Sequence, residues 1–77
     1  MVHAYIMIRT AAGVAQDVRE SIAELGSVSE AHIVAGEFDI IAETDEKEVY
    51  DILTTAAADI QGVNGVEETK TYVSLSG

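Results

Sequence analysis

The stretch VSEAHIVAGEFDIIAET, residues 28–44, contains two runs of strand-forming residues joined by a short turn. The first run covers residues 28–35 and the second covers residues 38–44, with Gly36 and Glu37 between them. Two strands joined by so short a connection pair antiparallel, because the turn brings their ends together. Glycine at position 36 also permits a tight turn with a positive φ. The sequence therefore predicts a β-hairpin near the centre of the chain.

A strand and a helix precede this hairpin. In residues 2–8 one side of the extended chain is wholly apolar, which predicts a first strand. A helix is predicted next, because apolar residues recur there at steps of four, four and three. Gly26 follows the last of them, where a glycine commonly ends a helix. This apolar stripe consists of Val14, Val18, Ile22 and Leu25.

A second helix and a last strand follow the hairpin. Asp45 is predicted to cap the helix, with Glu48 three residues later completing a capping box. Gly62 is expected to end the helix, and residues 66–75 are predicted to form the last strand. The apolar stripe predicted for this helix consists of Val49, Ile52, Leu53, Ala56 and Ile60.

The element order β-α-β-β-α-β decides the fold class. Each βαβ half crosses over in the right-handed sense and leaves room for one strand between the pair that it joins. The compact solution is α+β and ferredoxin-like: a four-stranded antiparallel sheet with both helices on one face. At this length we expect residues 1–77 to form a single domain.

The face of the sheet away from the helices is predicted to be covered by a second copy of the chain. Tyr5 and Met7 lie on that side of the first strand, and the last strand offers Tyr72 or, on the other parity, Val73 and Leu75. A sheet with two apolar faces needs cover on both, and no third helix remains in 77 residues. We therefore expect a homodimer that packs sheet to sheet.

Charge and composition exclude several classes of function. The chain has 4 basic and 14 acidic side chains, so its net charge is −10. Such a chain repels nucleic-acid phosphate and anionic lipid, so no direct contact with either is expected. The sequence contains no cysteine, which excludes disulfides and thiolate metal sites. It also lacks a membrane span and a signal peptide, so we expect a cytoplasmic protein, and the acidic excess favours a halophilic source.

No pattern of a catalytic centre is present. The sequence contains no nucleophile elbow, P-loop or dinucleotide-binding glycine motif. His3 and His32 fall on different predicted strands without metal-ligand spacing, and we interpret them as residues of a sheet face. The sequence therefore predicts a protein that is not an enzyme and that carries no metal or cofactor.

The hairpin turn is the best candidate for a binding site. Phe38 and Asp39 lie just beyond the turn, and Thr69 and Thr71 are alternate residues of the last strand. One interpretation is a simple hairpin, with phenylalanine in the core and threonines chosen for strand propensity. The other is a loop whose backbone groups bind a small ligand, with Asp39 facing an ammonium group and the threonine hydroxyls facing a carboxylate or amide. The residues alone do not decide between these two interpretations.

A resemblance that runs along nearly the whole chain favours the second interpretation. It is carried by the opening strand AYIMI, the helix end ELG, the segment VSEAHIVA, the turn GEFD, and the stretches IQGVNGV and TKTYV. In this order they resemble the effector-binding domain of the Lrp/AsnC (leucine-responsive/asparagine regulator) family of transcription factors. GEFD is similar to that family's Gly-x-Tyr/Phe-Asp turn.

The resemblance implies a fold, an assembly and a site. The family has a ferredoxin-like fold and forms sheet-mediated dimers, which assemble into rings of four or five dimers, that is octamers or decamers. Amino acids or related small metabolites bind between its subunits. Carried over to this chain, the ligand-binding residues are Gly36, Glu37, Phe38 and Asp39, with lesser contributions from Thr69 and Thr71.

Full-length members also carry an N-terminal helix-turn-helix, whereas this sequence begins at the first strand. The resemblance therefore implies a stand-alone domain that senses a metabolite or co-assembles with a full-length regulator. Three alternatives stay open at this point. They are a small dimeric enzyme of the monooxygenase type, a ligand-free oligomerisation partner, and an ACT-type regulatory domain, for which Gly13 stands after the first strand.

Overall fold

The computed structural model describes residues 1–76 as a four-stranded sheet and two helical segments. The second helical segment is continuous but changes type twice, from α to π and back to α. No helix in residues 1–76 is long and apolar enough to cross a membrane. The elements are β1 (Val2–Thr10), α1 (Ala15–Ala23), β2 (Glu30–Ile33), β3 (Ile40–Glu46), α2 (Val49–Asp51), a π-helical turn (Ile52–Ala56), α3 (Ala57–Gln61) and β4 (Val66–Val73).

The sheet has the order β2-β3-β1-β4, and every neighbouring pair is antiparallel. This order follows from the hairpin between β2 and β3 and from two crossovers that each leave space for one strand. The predicted ferredoxin-like α+β fold is confirmed. Ala4 lies opposite Val73, and the Ser74 N–H donates to the His3 carbonyl at 2.8 Å, so the start of β1 lies beside the end of β4.

Alternation along β1 separates the two faces of the sheet. Ala4, Ile6 and Ile8 are completely buried against the helical segments, as the period of two requires. Val18 and Ile22 of α1 are buried in the same core, which confirms the centre of the predicted helical stripe. The side chains between them, beginning with His3 and Tyr5, lie on the opposite side, which we call the open face.

The predicted capping box of the second helical segment is wrong. Asp45 lies within β3, opposite His3 of β1, and its carboxylate binds that histidine. The residue before α2 is Glu48, and it makes no side-chain capping hydrogen bond. Pairing with β1 therefore keeps the chain extended two residues longer than the capping pattern predicts.

The π-helical turn alters the buried stripe of the second helical segment. The Ala57 N–H donates to the Ile52 carbonyl, five residues back, so the turn contains one residue more than an α-helical turn. Ile52, Ala56 and Ile60 are buried as predicted. Val49 and Leu53 are 47% and 54% exposed, so their predicted place in the core is wrong. Because the π-helical turn contains one extra residue, the side chains before it point in a different direction around the helix axis than an unbroken α-helix would give them.

The connection between β2 and β3 is longer than predicted. Because β2 ends at Ile33 and β3 begins at Ile40, the loop consists of residues 34–39. The predicted turn consisted only of Gly36 and Glu37. The Val34 N–H donates to the Asp39 carbonyl at 2.9 Å and closes this loop. We refer to residues 34–39 as the hairpin loop.

Two glycines differ from their predicted roles. Gly36 has no positive φ, so the hairpin loop does not use the freedom predicted for it. Helix α1 ends at Ala23 and is capped by the backbone at Glu24, so Gly26 lies beyond the cap. Among residues 1–76, positive φ values occur instead at Gly13 and Gly65, on the turns that precede α1 and β4.

Candidate functional site

The hairpin loop borders a cavity on the open face. The cavity has a volume of about 380 Å³, and we call it the loop cavity. Gly36, Glu37 and Phe38, three of the predicted ligand-binding residues, line it from the loop. The sheet contributes an apolar floor, which consists of Met7, Ile41 and Tyr72.

Phe38 is the buried anchor of the hairpin loop. Its side chain is only 8% exposed, although it lies on the open face and not in the core beneath the helices. The Arg9 guanidinium carbon is 4.9 Å from the ring centroid, and the Lys70 ammonium is 5.8 Å from it. Both distances are within the range of cation–π attraction. Two of the chain's 4 basic residues are thus gathered at this one ring.

Arg9 is a site residue that sequence reasoning missed. Its Nε donates to the Glu68 carboxylate at 3.0 Å, and a terminal nitrogen donates to the Glu37 carbonyl at 2.8 Å. Arg9 therefore holds the hairpin loop against β1 and β4. The sequence could have indicated this position, because alternation along β1 places Arg9 on the same face of the sheet as Met7.

Asp39 faces away from the loop cavity. Its Oδ2 accepts hydrogen bonds from the Thr10 backbone N–H at 2.9 Å and from the Thr10 hydroxyl at 3.4 Å. The Asp39 N–H donates to the Ile8 carbonyl at 2.9 Å. The carboxylate thus fixes the end of the hairpin loop to the end of β1, in the manner of the simple-hairpin interpretation.

Thr69 and Thr71 lie on the side of the sheet that the helices cover. They are opposite Ile8 and Ile6 in the β1–β4 register, and cross-strand partners share a face. The Thr69 hydroxyl accepts a hydrogen bond from the Gln61 amide at 3.2 Å. Thr69 and Gln61 border a separate groove of about 350 Å³. Within one chain, the two threonines and the hairpin loop therefore do not form one site.

A polar cluster occupies another part of the open face. His3 lies between two carboxylates of β3, with Nδ1 2.6 Å from Asp45 and Nε2 3.0 Å from Glu43. These hydrogen bonds favour the imidazolium form and raise the pKa of His3 above its ordinary value of 6.5, that to Asp45 more than that to Glu43. On β2, His32 Nε2 is 3.1 Å from Glu30. The fold thus brings both histidines to one surface, although they are 29 residues apart.

Known structures with the same fold include proteins of the same length and much longer ones. TTHA0845 from Thermus thermophilus is 31% identical with a TM-score of 0.90, and the match covers 100% of this chain and 96% of that one. Escherichia coli AsnC, 19% identical with a TM-score of 0.87, is matched over 99% of this chain but 52% of its own. The NMB0573/L-Met complex, a transcriptional regulator of Neisseria meningitidis, is 15% identical with a TM-score of 0.75, over 97% and 50% of the two chains.

The family assignment rests on the sequence itself. No curated protein matches the chain. Residues 3–77, however, match the Lrp/AsnC ligand binding domain. That match extends from β1 beyond β4 and so includes the loop cavity. The chain therefore belongs to the Lrp/AsnC ligand-binding domain family, whose members are regulatory domains of transcription factors.

Proposed function

We propose that this chain is a non-enzymatic regulatory domain that binds an amino acid or a closely related small metabolite in the loop cavity. The observation that carries the proposal is the cavity itself, in which a fixed loop and an apolar floor meet, with the Lys70 ammonium group 5.8 Å from the ring of the lining residue Phe38. Its volume of about 380 Å³ lies in the range of small-molecule sites, which are mostly apolar with a few polar groups.

Lys70 supplies the charge that an amino acid requires. Within residues 1–76 its ammonium group makes no ion pair, whereas Arg9 is bound to Glu68. Lys70 lies opposite Met7 in the β1–β4 register, next to Tyr72. We propose that it binds the ligand carboxylate, while the apolar part of the ligand contacts Met7 and Tyr72.

Gly36 leaves room for such a ligand. A β-carbon at this position would meet no atom within 4 Å, and the backbone has no positive φ. Neither strain nor crowding within the chain therefore requires glycine here. We propose that the open space beside Gly36 belongs to the ligand.

L-methionine is the molecule bound in the Neisseria meningitidis structure. That observation concerns a protein 15% identical to this chain, so it supports the class of ligand and not its identity. For this chain we propose an α-amino acid, with its side chain toward the apolar floor.

Assembly belongs to the same proposal. The open face exposes Tyr5 by 41% and Tyr72 by 56%, and we propose that a second copy covers them in a sheet-to-sheet dimer. The loop cavity lies on the open face, whereas the groove at Thr69 lies along the edge strand β4 and beside Gln61. A ligand that contacts both would lie between subunits, in a ring of eight or ten chains. Co-assembly with a full-length regulator would use the same surfaces.

A thermal-shift screen of the twenty amino acids tests this function. A ligand at one hundred times its Kd adds about 2.7 kcal/mol, which raises the Tm of a domain this small by more than about 10 °C. Lys70→Gln is expected to abolish the shift, and Lys47→Gln, which removes an exposed lysine far from the cavity, to preserve it. If no amino acid changes the Tm of the wild-type chain, the alternative of a ligand-free oligomerisation partner replaces this proposal.

A further inference from the structure

We infer that the open face carries a binding site for a divalent transition-metal ion, formed by Glu30 and His32 of β2 and Glu43 of β3. Each residue offers one ligand atom, and these three atoms lie within 4.8 Å of one another. None of the three lines the loop cavity, so this site is separate from the proposed amino-acid site.

The donor geometry is close to that of a bound ion. His32 Nε2 is 3.1 Å from a Glu30 carboxylate oxygen and 3.9 Å from a Glu43 carboxylate oxygen. In a tetrahedral zinc site with bonds of 2.0–2.2 Å, ligand atoms are about 3.4 Å apart. The three side chains are exposed or half-buried, so small rotations suffice to bring all three donors to that spacing.

The strand register supplies a second, independent argument. Glu30 and Glu43 lie directly opposite each other on neighbouring antiparallel strands. Like charges in this position repel and destabilise the sheet. Asp45, the next carboxylate on this face of β3, adds a third negative charge, of which His3 offsets part through its contacts with Glu43 and Asp45. No lysine or arginine of residues 1–76 forms an ion pair with Glu30, Glu43 or Asp45. A divalent cation between Glu30 and Glu43 turns this repulsion into attraction.

Glu43 is already oriented for this role. One carboxylate oxygen is 3.0 Å from His3 Nε2, and the other is the one that faces His32. The other nitrogen of His3 is in turn bound to Asp45. Metal-binding carboxylates are commonly held by such a second hydrogen bond, which fixes their direction before the ion arrives.

One imidazole and two carboxylates suit a first-row transition metal more than magnesium or calcium. Imidazole nitrogen favours zinc, copper, iron and nickel, whereas magnesium and calcium prefer oxygen ligands alone. Glu30 and His32 lie on the edge strand β2, and Glu43 lies on the neighbouring strand β3, so the site is on the β2 side of the open face. Tyr5, Met7 and Tyr72 lie on β1 and β4, and Ile41 of β3 is the remaining residue of the apolar floor, so a sheet-to-sheet dimer centred on β1 and β4 leaves the β2 donors at its edge.

Calorimetric titration of the untagged full chain with zinc chloride tests the inference. We expect one zinc ion per chain, binding that survives millimolar magnesium chloride, and a zinc-dependent shift of the His32 ring signals in proton–nitrogen NMR spectra. Glu30→Gln and His32→Asn are each expected to weaken zinc affinity at least tenfold. Glu20→Gln removes the same charge from the exposed side of α1, and we expect it to change the affinity less than twofold.

Three outcomes would overturn the inference. They are absence of zinc binding at 0.1 mM zinc chloride, displacement by magnesium, and an equal loss of affinity in Glu20→Gln and Glu30→Gln. The last two would identify a diffuse counterion effect of the acidic surface. Far-ultraviolet circular dichroism of each variant verifies that it is folded. Neither Glu30→Gln nor His32→Asn touches the loop cavity, so the amino-acid screen stays a separate test.

Discussion

At the scale of single residues, two glycines of this chain differ in what they tolerate. Gly65 has a φ of +100°, and a β-carbon there would lie 2.8 Å from a methyl group of Val18. We expect Gly65→Ala to lower the free energy of unfolding by about 2 kcal/mol or more, from backbone strain and overpacking together. Gly36→Ala is the matched control and is expected to be within about 0.5 kcal/mol of wild type. Urea denaturation measures both, and equal losses would contradict this account.

The paired histidine His3 predicts a pH dependence. Its pKa is raised in the folded chain by hydrogen bonds to Asp45 and Glu43, and its ring is nearly perpendicular to that of Tyr5, with the ring centroids 5.0 Å apart. The stabilisation is therefore fully present below pH 6.5, the ordinary value, and is lost as the pH rises through the raised pKa. In buffer with EDTA, we expect the free energy of unfolding of wild type relative to His3→Gln to fall as the pH rises above 6.5. A constant difference between pH 5.5 and 8.5 would refute the prediction.

At the scale of elements, the hairpin loop depends on its connection to β1. Asp39 accepts two hydrogen bonds from Thr10, one of them at 2.9 Å from a backbone N–H. We expect Asp39→Ala to cost about 1–3 kcal/mol, because a half-buried donor loses a charged acceptor. Asp39→Asn keeps an acceptor and is expected to cost less than half as much. Hydrogen exchange of the Thr10 amide provides the local measurement, and unchanged protection in Asp39→Ala would rule out this role.

The strands and the first helix could be predicted from the sequence because their signals are periodic. Alternation along β1 and the spacing of Val18 and Ile22 each follow directly from burial of one face. The π-helical turn could not be predicted, since residues 49–61 also fit an unbroken α-helix. The capping box at Asp45 failed for a different reason. A carboxylate that pairs with a histidine 42 residues away has the same local sequence as one that caps a helix.

The candidate site was only partly predictable. Gly36, Glu37 and Phe38 were identified from a turn and a family resemblance, and the structure places them around one cavity. Arg9 and Lys70 were not identified, because their contacts with Phe38 join two strands, β1 and β4, to the hairpin loop. Contacts between residues so far apart in the chain produce no recognisable spacing pattern in the sequence. Glu30 and His32 are alternate residues of β2, but only the cross-strand register brings Glu43 to them.

At the scale of the whole molecule, the charge of −10 predicts that salt stabilises the chain. Raising the ionic strength from 0.1 M to 1 M shortens the Debye length from about 10 Å to about 3 Å, which screens the mutual repulsion of the carboxylates. We expect the free energy of unfolding to rise between these concentrations of sodium chloride. A combined Glu20→Gln and Glu24→Gln variant, which removes two negative charges from α1 and its C-cap, is expected to respond less. A Tm that is unchanged or falls with salt contradicts the prediction.

The adjacency of the start of β1 and the end of β4 has a practical consequence. The Ser74 N–H binds the His3 carbonyl, and both Met1 and Leu75 project into solvent. A short glycine-rich linker can therefore join residues 1 and 76 without distorting either strand, and the chain can be reopened at another surface turn. A fluorescent reporter joined at the new ends of such a circular permutant would test binding of the proposed ligand as an optical signal.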